Sequence, residues 1–442
     1  MTRPTPFLSL LFLAVLPTAA AAQAPLSLDE AVARTRANHP TLESATAGVD
    51  EATARVREAR SGWYPRVNVR EAWQRGNHPV FAFSSLLSQR RFTAADFAID
   101  RLNRPDAITN HQFAVNTEAF LFDGGMTRAA VQQASAGQKL ATARRRLVER
   151  DLAMATVGAY VDVVRRDAAL AAARRAVEAA VADRDRAQAR VEAGVVTEAD
   201  VLAVVVRHAQ LAAQVAMLDA ERRVAIERLN ALIDAPPGTT FALEPLRDTT
   251  LPIESADAAV ALALAAREEI VLADAEQALS RAAMARAKAA FMPTVGAQAG
   301  VEWNGNTLGT RERSWFMGAE VRLNLFNGFA DRARLAAAQA ATRGVDARRE
   351  AVLRDIRLDV LAAHAQVTSA VAQVAIGRDA ATQAAAAHQI VRDRYEHGLV
   401  DITTVLESAR AVADADARAV AARAEAQRAA VAFERAVGRF PR

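Results

Sequence analysis

The sequence predicts a mixed α/β chain that carries one structural plan twice: two β-strands, short flanking helices and one long antiparallel helical hairpin per copy. Three observations predict it. The word Phe120–Gly125, "FLFDGG", returns at Asn324–Phe329 as "NLFNGF", an offset of 204 residues. The stretches that follow, from 124 to about 192 and from 328 to about 396, contain no proline and few glycines, as long helices require. Four short stretches ahead of the two words alternate apolar and polar residues with a period of two, which means strands.

The N-terminus opens with Arg3, an apolar core from Phe7 to Leu16 and a small-residue patch in which Ala20 and Ala22 fit an A-x-A cleavage site. Residues 1–22 are therefore expected to be a secretory signal peptide and are excluded from fold reasoning. With no cysteine the exported chain carries neither disulfides nor a cysteine-linked lipid. "LSLDEAVARTRA" then predicts a helix up to the breaker Asn38-His39-Pro40. A second helix runs to about Gly62, and Pro65 starts an extended stretch.

In the first strand Val67, Val69 and Trp73 oppose Arg66, Asn68, Arg70 and Gln74. In the second, Phe113, Val115, Ala119 and Leu121 oppose Gln112, Asn116 and Glu118. In the third, Val295, Ala297, Ala299, Val301 and Trp303 oppose Gln298 and Glu302. In the fourth, Trp315, Met317, Ala319, Val321, Leu323 and Leu325 oppose Glu320, Arg322 and Asn324. Each has about 9–11 residues, the length of a tilted strand crossing a bilayer, and Trp73, Trp303, Trp315, Phe122 and Phe326 sit toward the ends, where aromatic girdles lie. On pattern alone a soluble sheet with one wet face fits as well.

The long helices break at Gly194 and Gly398, and return helices are expected from Thr197 to about Asp234 and from Asp401 to about Val437. "RVEAGVVTEADVL" and "RYEHGLVDITTVL" match across these breaks at the same offset of 204. Upstream the offset is 228, since "WYPRVNV" pairs with "FMPTVGA"; the first copy thus carries 24 extra residues within "NHPVFAFSSLLSQRRFTAADFAIDRLNRP". The expected units are residues 23–234, with a hairpin at 124–234, a Pro-rich linker at 235–254, and residues 255–442, with a hairpin at 328–437. The insertion is expected on the cell surface, with a lid over a pore mouth as its use.

A formal net charge of +4 without a dense basic run speaks against nucleic acid as a partner. The seven histidines are scattered without zinc-like spacing, and no nucleophile elbow, P-loop or dinucleotide fingerprint occurs. No catalytic, cofactor-binding or metal residue is assigned, and an enzyme is not expected. After the signal there is no charge-free apolar run of about 18 residues, so a membrane segment has to be built from strands. Four such strands cannot close a barrel, and an open edge in lipid leaves backbone groups unpaired at several kcal/mol or so each. Two copies make eight strands, a barrel that side chains fill; three make twelve, with room for a pore.

The break "NHPTL", the "YP" before the first strand, the duplicated "LFDGG/LFNGF" word and the paired tips "GVVTEADVL" and "GLVDITTVLE" together resemble the TolC family of outer-membrane efflux and secretion channels, over the whole mature chain. The resemblance implies a homotrimer in outer-membrane lipid: a twelve-stranded transmembrane β-barrel, four strands per subunit, continued by a periplasmic α-helical barrel of coiled-coil hairpins. It implies a passive duct opened by a periplasmic adaptor (membrane fusion) protein and an inner-membrane transporter. By alignment on Gly398, Tyr395 falls on the family's gate tyrosine and Asp200 on its aspartate partner. Glu407 and Thr404 fall on two pore-lining acidic positions, and Thr404 departs from the pattern. Val400 stands where the family has a gate arginine. The tips Gly194, Val195, Gly398 and Leu399 are the implied adaptor contacts.

Phe122, Asp123 and Gly124, with Phe326, Asn327 and Gly328, read as strand-to-helix joints. In each, Asp123 or Asn327 caps the first helical turn and the next glycine lets the chain swing. The alternative reading is a soluble periplasmic coiled-coil adaptor or scaffold.

Overall fold

The computed structural model describes residues 25–244 and 255–439. The signal peptide expected at 1–22 and most of the expected linker, 245–254, lie outside the described residues. The first half runs α1 (Leu28–Asn38), α2 (Pro40–Arg60), β1 (Arg66–Gly76), α3 (Pro79–Ser88), α4 (Ile99–Asn103), β2 (Ile108–Phe122), α5 (Met126–Glu192) and α6 (Glu198–Ile233). The second runs α7 (Ala256–Ala266), α8 (Glu268–Ala289), β3 (Thr294–Gly305), β4 (Glu312–Arg322), α9 (Ala330–Glu396) and α10 (Ile402–Val437). The two long helices have 67 residues each and the two return helices 36 each. At 1.5 Å per residue the long helices span about 100 Å.

The strands form one antiparallel sheet in the order β1-β2-β3-β4. Its register stacks the predicted faces in rows. Val69, Val115, Val301 and Trp315 face one another across the four strands, and Val67, Thr117, Ala299 and Met317 form the next row. The opposite face carries rows such as Arg70, Ala114, Glu302 and Ser314, tied by hydrogen bonds from Gln112 and Ser314 to Glu302 at 2.8 and 3.0 Å. Toward the end away from the helices, before Trp73, the apolar face of β1 carries Glu71, paired with Arg311 at 2.7 Å.

Two strand ends differ from the period-two reading. β4 stops at Arg322, so Leu323 and Leu325 lie beyond it: Arg322 pairs with Thr294, the first residue of β3 after Pro293, and no ladder partner remains. In β2 a bulge at Leu121 shifts the register between Phe120, opposite Gly296, and Phe122, opposite Val295. Simple alternation puts Leu121 on the apolar face; the extra residue puts Phe122 there instead.

In α5 the buried positions Ala129, Ala136, Ala143, Arg150 and Val157 recur every seven residues, a coiled-coil period, along the half of the helix whose Arg150 bonds Glu269 of α8. Alanine at these positions allows close helix approach. Two helices, α6 and α9, contain an 18-residue window apolar enough to cross a membrane by composition alone, a looser test than the charge-free run sought in the sequence. Both are engaged lengthwise by their antiparallel partners; Arg166–Glu221 and Arg222–Asp167 ion pairs stitch α5 to α6.

The two halves are locked together where α8 lies between α5 and α9. Arg150 of α5 and Arg267, at the break between α7 and α8, are 4% and 7% exposed and share the carboxylate of Glu269 at 2.8 and 2.7 Å. Arg267 also reaches Asp359 of α9 at 2.6 Å and the carbonyl of Ala436 in α10. Burial alone would push the Glu269 carboxyl up, but hydrogen bonds from Arg267 and Arg150 outweigh it and hold it far below the usual carboxylate range.

Removing the shared partner leaves buried Arg267 with Asp359 alone and buried Arg150 with only Asp151 at 3.4 Å. Glu269→Ala is expected to cost about 3–5 kcal/mol, read as a lowered thermal unfolding midpoint, whereas Glu51→Ala, in an exposed pair with Arg55, changes it little. Because the folded-state pKa of Glu269 is depressed, its contribution is complete at neutral pH. It declines as the pH falls below the ordinary glutamate range toward the folded value.

Candidate functional site: hairpin tips and strand-to-helix joints

Both tips close in the same way. Gly194 and Gly398 adopt φ of 72° and 73°, the left-handed region open to glycine. The amides of Gly194 and Val195 donate to the carbonyls of Val191 and Arg190 at 2.8 and 2.9 Å. Gly398 and Leu399 do the same to Tyr395 and Arg394 at 3.0 and 2.9 Å. This is the hydrogen-bond pattern that terminates a helix through a left-handed residue. Val195 and Leu399 project from the turns, 61% and 72% exposed.

The return helices start with mirrored caps. In the first copy Thr197 and Asp200 form a capping box, Thr197 N–H reaching the Asp200 carboxylate. In the second the acid stands at the N-cap. Asp401 accepts from the amide of Thr404 at 2.9 Å and from its hydroxyl at 2.7 Å. Thr404 occupies the position equivalent to Asp200, so acid and hydroxyl have exchanged places while the cap is kept. The hydroxyl hydrogen bonds hold the Asp401 carboxyl below its ordinary range. Glu407, one turn on, is exposed.

Tyr395 is 9% exposed, packed with Ala187, Val204, Ile402 and Val405 from both hairpins. Its hydroxyl is buried without a hydrogen-bond partner among the described residues, and burial lifts the phenol above its ordinary pKa. The expected pairing of Tyr395 with Asp200 is not made, because the Asp200 carboxylate is spent on its own cap. Arg190 takes its place. Its guanidinium lies 4.5 Å from the centre of the Tyr395 ring and donates to the Tyr395 carbonyl at 3.0 Å, a cation–π contact plus a hydrogen bond between the hairpins. Val400 joins the apolar cluster. The sequence signal for Arg190 was its match with Arg394 across the repeat; only the fold shows that the first copy's arginine faces the second copy's tyrosine.

At the joints Asp123 accepts from the amides of Gly125 and Thr127 at 3.0 and 2.6 Å. Asn327 accepts weakly from the Asp331 amide at 3.5 Å and donates to its carboxylate at 2.5 Å. Each joint needs two successive left-handed residues, Gly124 and Gly125 in the first copy, Gly328 and Phe329 in the second. Phe329 at φ 64° is a bulky residue in that region, and its ring packs edge-on against Phe326 at 5.2 Å. Gly124 abuts the end of α8: a Cβ there would stand 2.8 Å from that of Met292. Among the described residues no group of acids and histidines has the arrangement to hold a metal ion.

A family model described as outer membrane efflux protein matches residues 31–234 and 259–439. Protein CyaE of Bordetella pertussis is 30% identical over 359 residues, which cover 77% of this chain and 68% of that protein. The fold is similar to that of CusC, with a TM-score of 0.81 at 16% identity over 93% of this chain and 92% of that one. It is also similar to the outer membrane protein VceC of Vibrio cholerae, at 0.79 and 18% over 94% and 97%, and to the outer-membrane channel OprN, at 0.79 and 22% over 93% and 89%.

The tip geometry distinguishes two substitutions. Tyr395→Phe removes a hydroxyl that has no partner and leaves the tip as stable as before or slightly more so. Arg190→Ala removes the contact between the hairpins and is expected to speed amide hydrogen exchange on both sides of the tips, measured by mass spectrometry on the purified protein.

Proposed function

The chain belongs to the outer membrane efflux protein family, and from that premise we propose that three copies close into one passive export duct through the outer membrane and periplasm. The observation that carries this reading is the open sheet. Its apolar face spans all four strands, and β1 and β4 present unpaired backbone edges of equal length, 11 residues each. Twelve strands in a closed ring satisfy both edges in lipid, with the polar face turned to the lumen.

The fold supplies a template for how the copies meet. Within one chain the first joint, at Gly124, rests on Met292 at the end of α8. The repeat equates Met292 with Tyr64 and Gly124 with Gly328. Tyr64 and its neighbour Trp63 are 70% and 57% exposed, and Phe326 and Phe329 are 70% and 66% exposed. The second joint of one copy is read as seated on the Trp63–Tyr64 corner of the next, so that six joints alternate around the ring where β-barrel becomes α-barrel. The units at 23–234 and 255–442 then act as six similar staves.

The tips form the closed periplasmic end in this reading. Arg190 clamped on Tyr395 holds the hairpins together, and three copies of Glu407 make an acidic ring that attracts cations. With Thr404 engaged by Asp401, a second ring is absent. The exposed Val195 and Leu399 beside Gly194 and Gly398 offer the contact for a periplasmic adaptor, whose inner-membrane transporter partner supplies the energy. The alternative of a soluble adaptor required the strands to serve a soluble sheet; membership of an outer-membrane family removes the reason for it.

The cysteine-free chain makes the assembly testable. Tyr64→Cys with Gly328→Cys is expected to yield disulfide-linked trimers on non-reducing gels, and either single variant none; monomers in mild detergent with no cross-link would reject the ring. In planar bilayers the wild-type trimer is expected to conduct ions with a preference for cations that Glu407→Gln weakens. Arg190→Ala raises the current and Tyr395→Phe leaves it unchanged.

A further inference from the structure

The two strand pairs are joined differently. β3 and β4 are connected by residues 306–311, whereas β1 and β2 are connected by residues 77–107, which fold into α3, a short turn and α4. This segment returns onto the sheet at the end away from the hairpins, and it returns onto the polar face. Phe81 of α3 lies over Gly76, where an added Cβ would stand 3.7 Å from its ring. Gln89, 3% exposed, donates its amide to the carbonyl of Thr109 at 2.8 Å and to the Asn110 side chain at 3.0 Å. Asn110 in turn donates to Asn304 of β3 at 2.9 Å, and the buried Asn304 amide nitrogen has no partner among the described residues.

The exit from α3 is held as well. Arg90 sits at φ 52°, left-handed for a non-glycine residue, a conformation that persists only where its surroundings hold it. Its guanidinium reaches Glu312 at 3.5 Å and the Arg313 carbonyl at 3.4 Å, both on β4. Phe83, Phe92 and Phe97 then chain edge-on at 4.8 and 5.0 Å, fastening α3 to the turn that follows.

The helix is two-sided. Ala82, Ser85 and Gln89 are buried, Gln89 on β2. Val80, Ser84 and Leu87 occupy the opposite stripe, with Val80 71% and Leu87 49% exposed. An apolar stripe on the polar side of a membrane sheet faces neither lipid nor the sheet.

We propose that α3 is an internal plug at the outer mouth: three copies bring their Val80–Leu87 stripes together across the lumen as an apolar constriction. The inference rests on the reading of the polar face as the lumen of a trimeric channel. Such a constriction sheds water and bars hydrated ions and polar solutes arriving from outside, while a solute driven from the periplasm displaces it. It makes α3 the element that sets which solutes pass the mouth, a role separate from the tips.

The test uses the full-length trimer in planar bilayers. In one variant residues 77–107 are replaced by the six-residue turn Asn306–Arg311; in a second, Gln89→Ala is combined with Arg90→Ala. Both are expected to pass a severalfold larger single-channel current than wild type. In a third, Leu87→Cys, a bulky thiol reagent added from the outer side is expected to abolish most of the current, while Leu308→Cys on the β3–β4 turn reacts without changing it. Wild-type current in all variants, with the Leu87→Cys channel labelled yet undiminished, would overturn the plug and leave the channel reading intact. Intact trimers that carry no current in any variant would instead overturn the channel reading beneath it. Should the turn replacement fail to assemble, the Leu87→Cys labelling decides alone.

Discussion

Every strand in lipid must have its backbone donors and acceptors paired, and this chain has too few strands to manage that by itself. Four strands leave two edges, β1 and β4, with no strand of the described residues paired outside either. Nothing in the side chains substitutes for the missing ladder, because each unpaired group in a hydrocarbon medium costs several kcal/mol or so. The equal edge lengths and the need for a repeated unit follow from that deficit. So does the duplication: once one strand pair is bound to one long hairpin, repeating the unit is the simplest route to a larger closed wall.

The joints are where this arrangement is most demanding. A tilted strand has to become a helix within a few residues, without a disordered link that would let the two barrels drift apart. Two consecutive left-handed residues make the turn, and a carboxylate or amide side chain takes up the first orphan amides of the helix. The first copy meets the backbone demand with two glycines. The second accepts Phe329 in the left-handed region and gains an aromatic ring stacked on Phe326. Backbone strain of order 1 kcal/mol or more is set against the contact between the two rings. The first joint has no need of such a ring, because α8 of its own chain already lies against it.

Much of this was legible in the residues. Long helices announce themselves by what they lack, and the ends at Glu192, Glu396 and Val437 fell beside the glycines that mark them. The strand faces followed from period two. What stayed hidden depends on contacts between elements far apart in sequence. The bulge at Leu121 is invisible to an alternation rule because it is a property of the pair β2–β3. Arg267 breaks α7 from α8 without proline or glycine; its guanidinium is drawn into the Glu269 and Asp359 cluster, and only the packed halves reveal why the helix ends there. At the tip the resemblance singled out Tyr395 as a gate residue, and the fold buries its ring between the hairpins. The resemblance could not foresee that Asp200 would serve its own helix and that Arg190 would hold the ring.

The exchange at the return helices explains how the copies diverged while keeping one shape. The cap requires one acid and one hydroxyl three positions apart, and it is indifferent to which comes first. In the first copy the Asp200 carboxylate accepts from the Thr197 amide, and in the second the Asp401 carboxylate accepts from the amide and hydroxyl of Thr404. The position that carries the Asp200 carboxylate in one copy carries in the other the Thr404 hydroxyl, turned to the Asp401 carboxylate. Structural equivalence has been preserved and charge has not. The same logic separates the strand connections: the β3–β4 turn reverses the chain and pairs Arg311 with Glu71, while the longer β1–β2 connection also returns a helix to the polar face. In a ring assembled from alternating copies, each such difference recurs three times around the axis. Small asymmetries between the repeats thus become symmetric features of the duct.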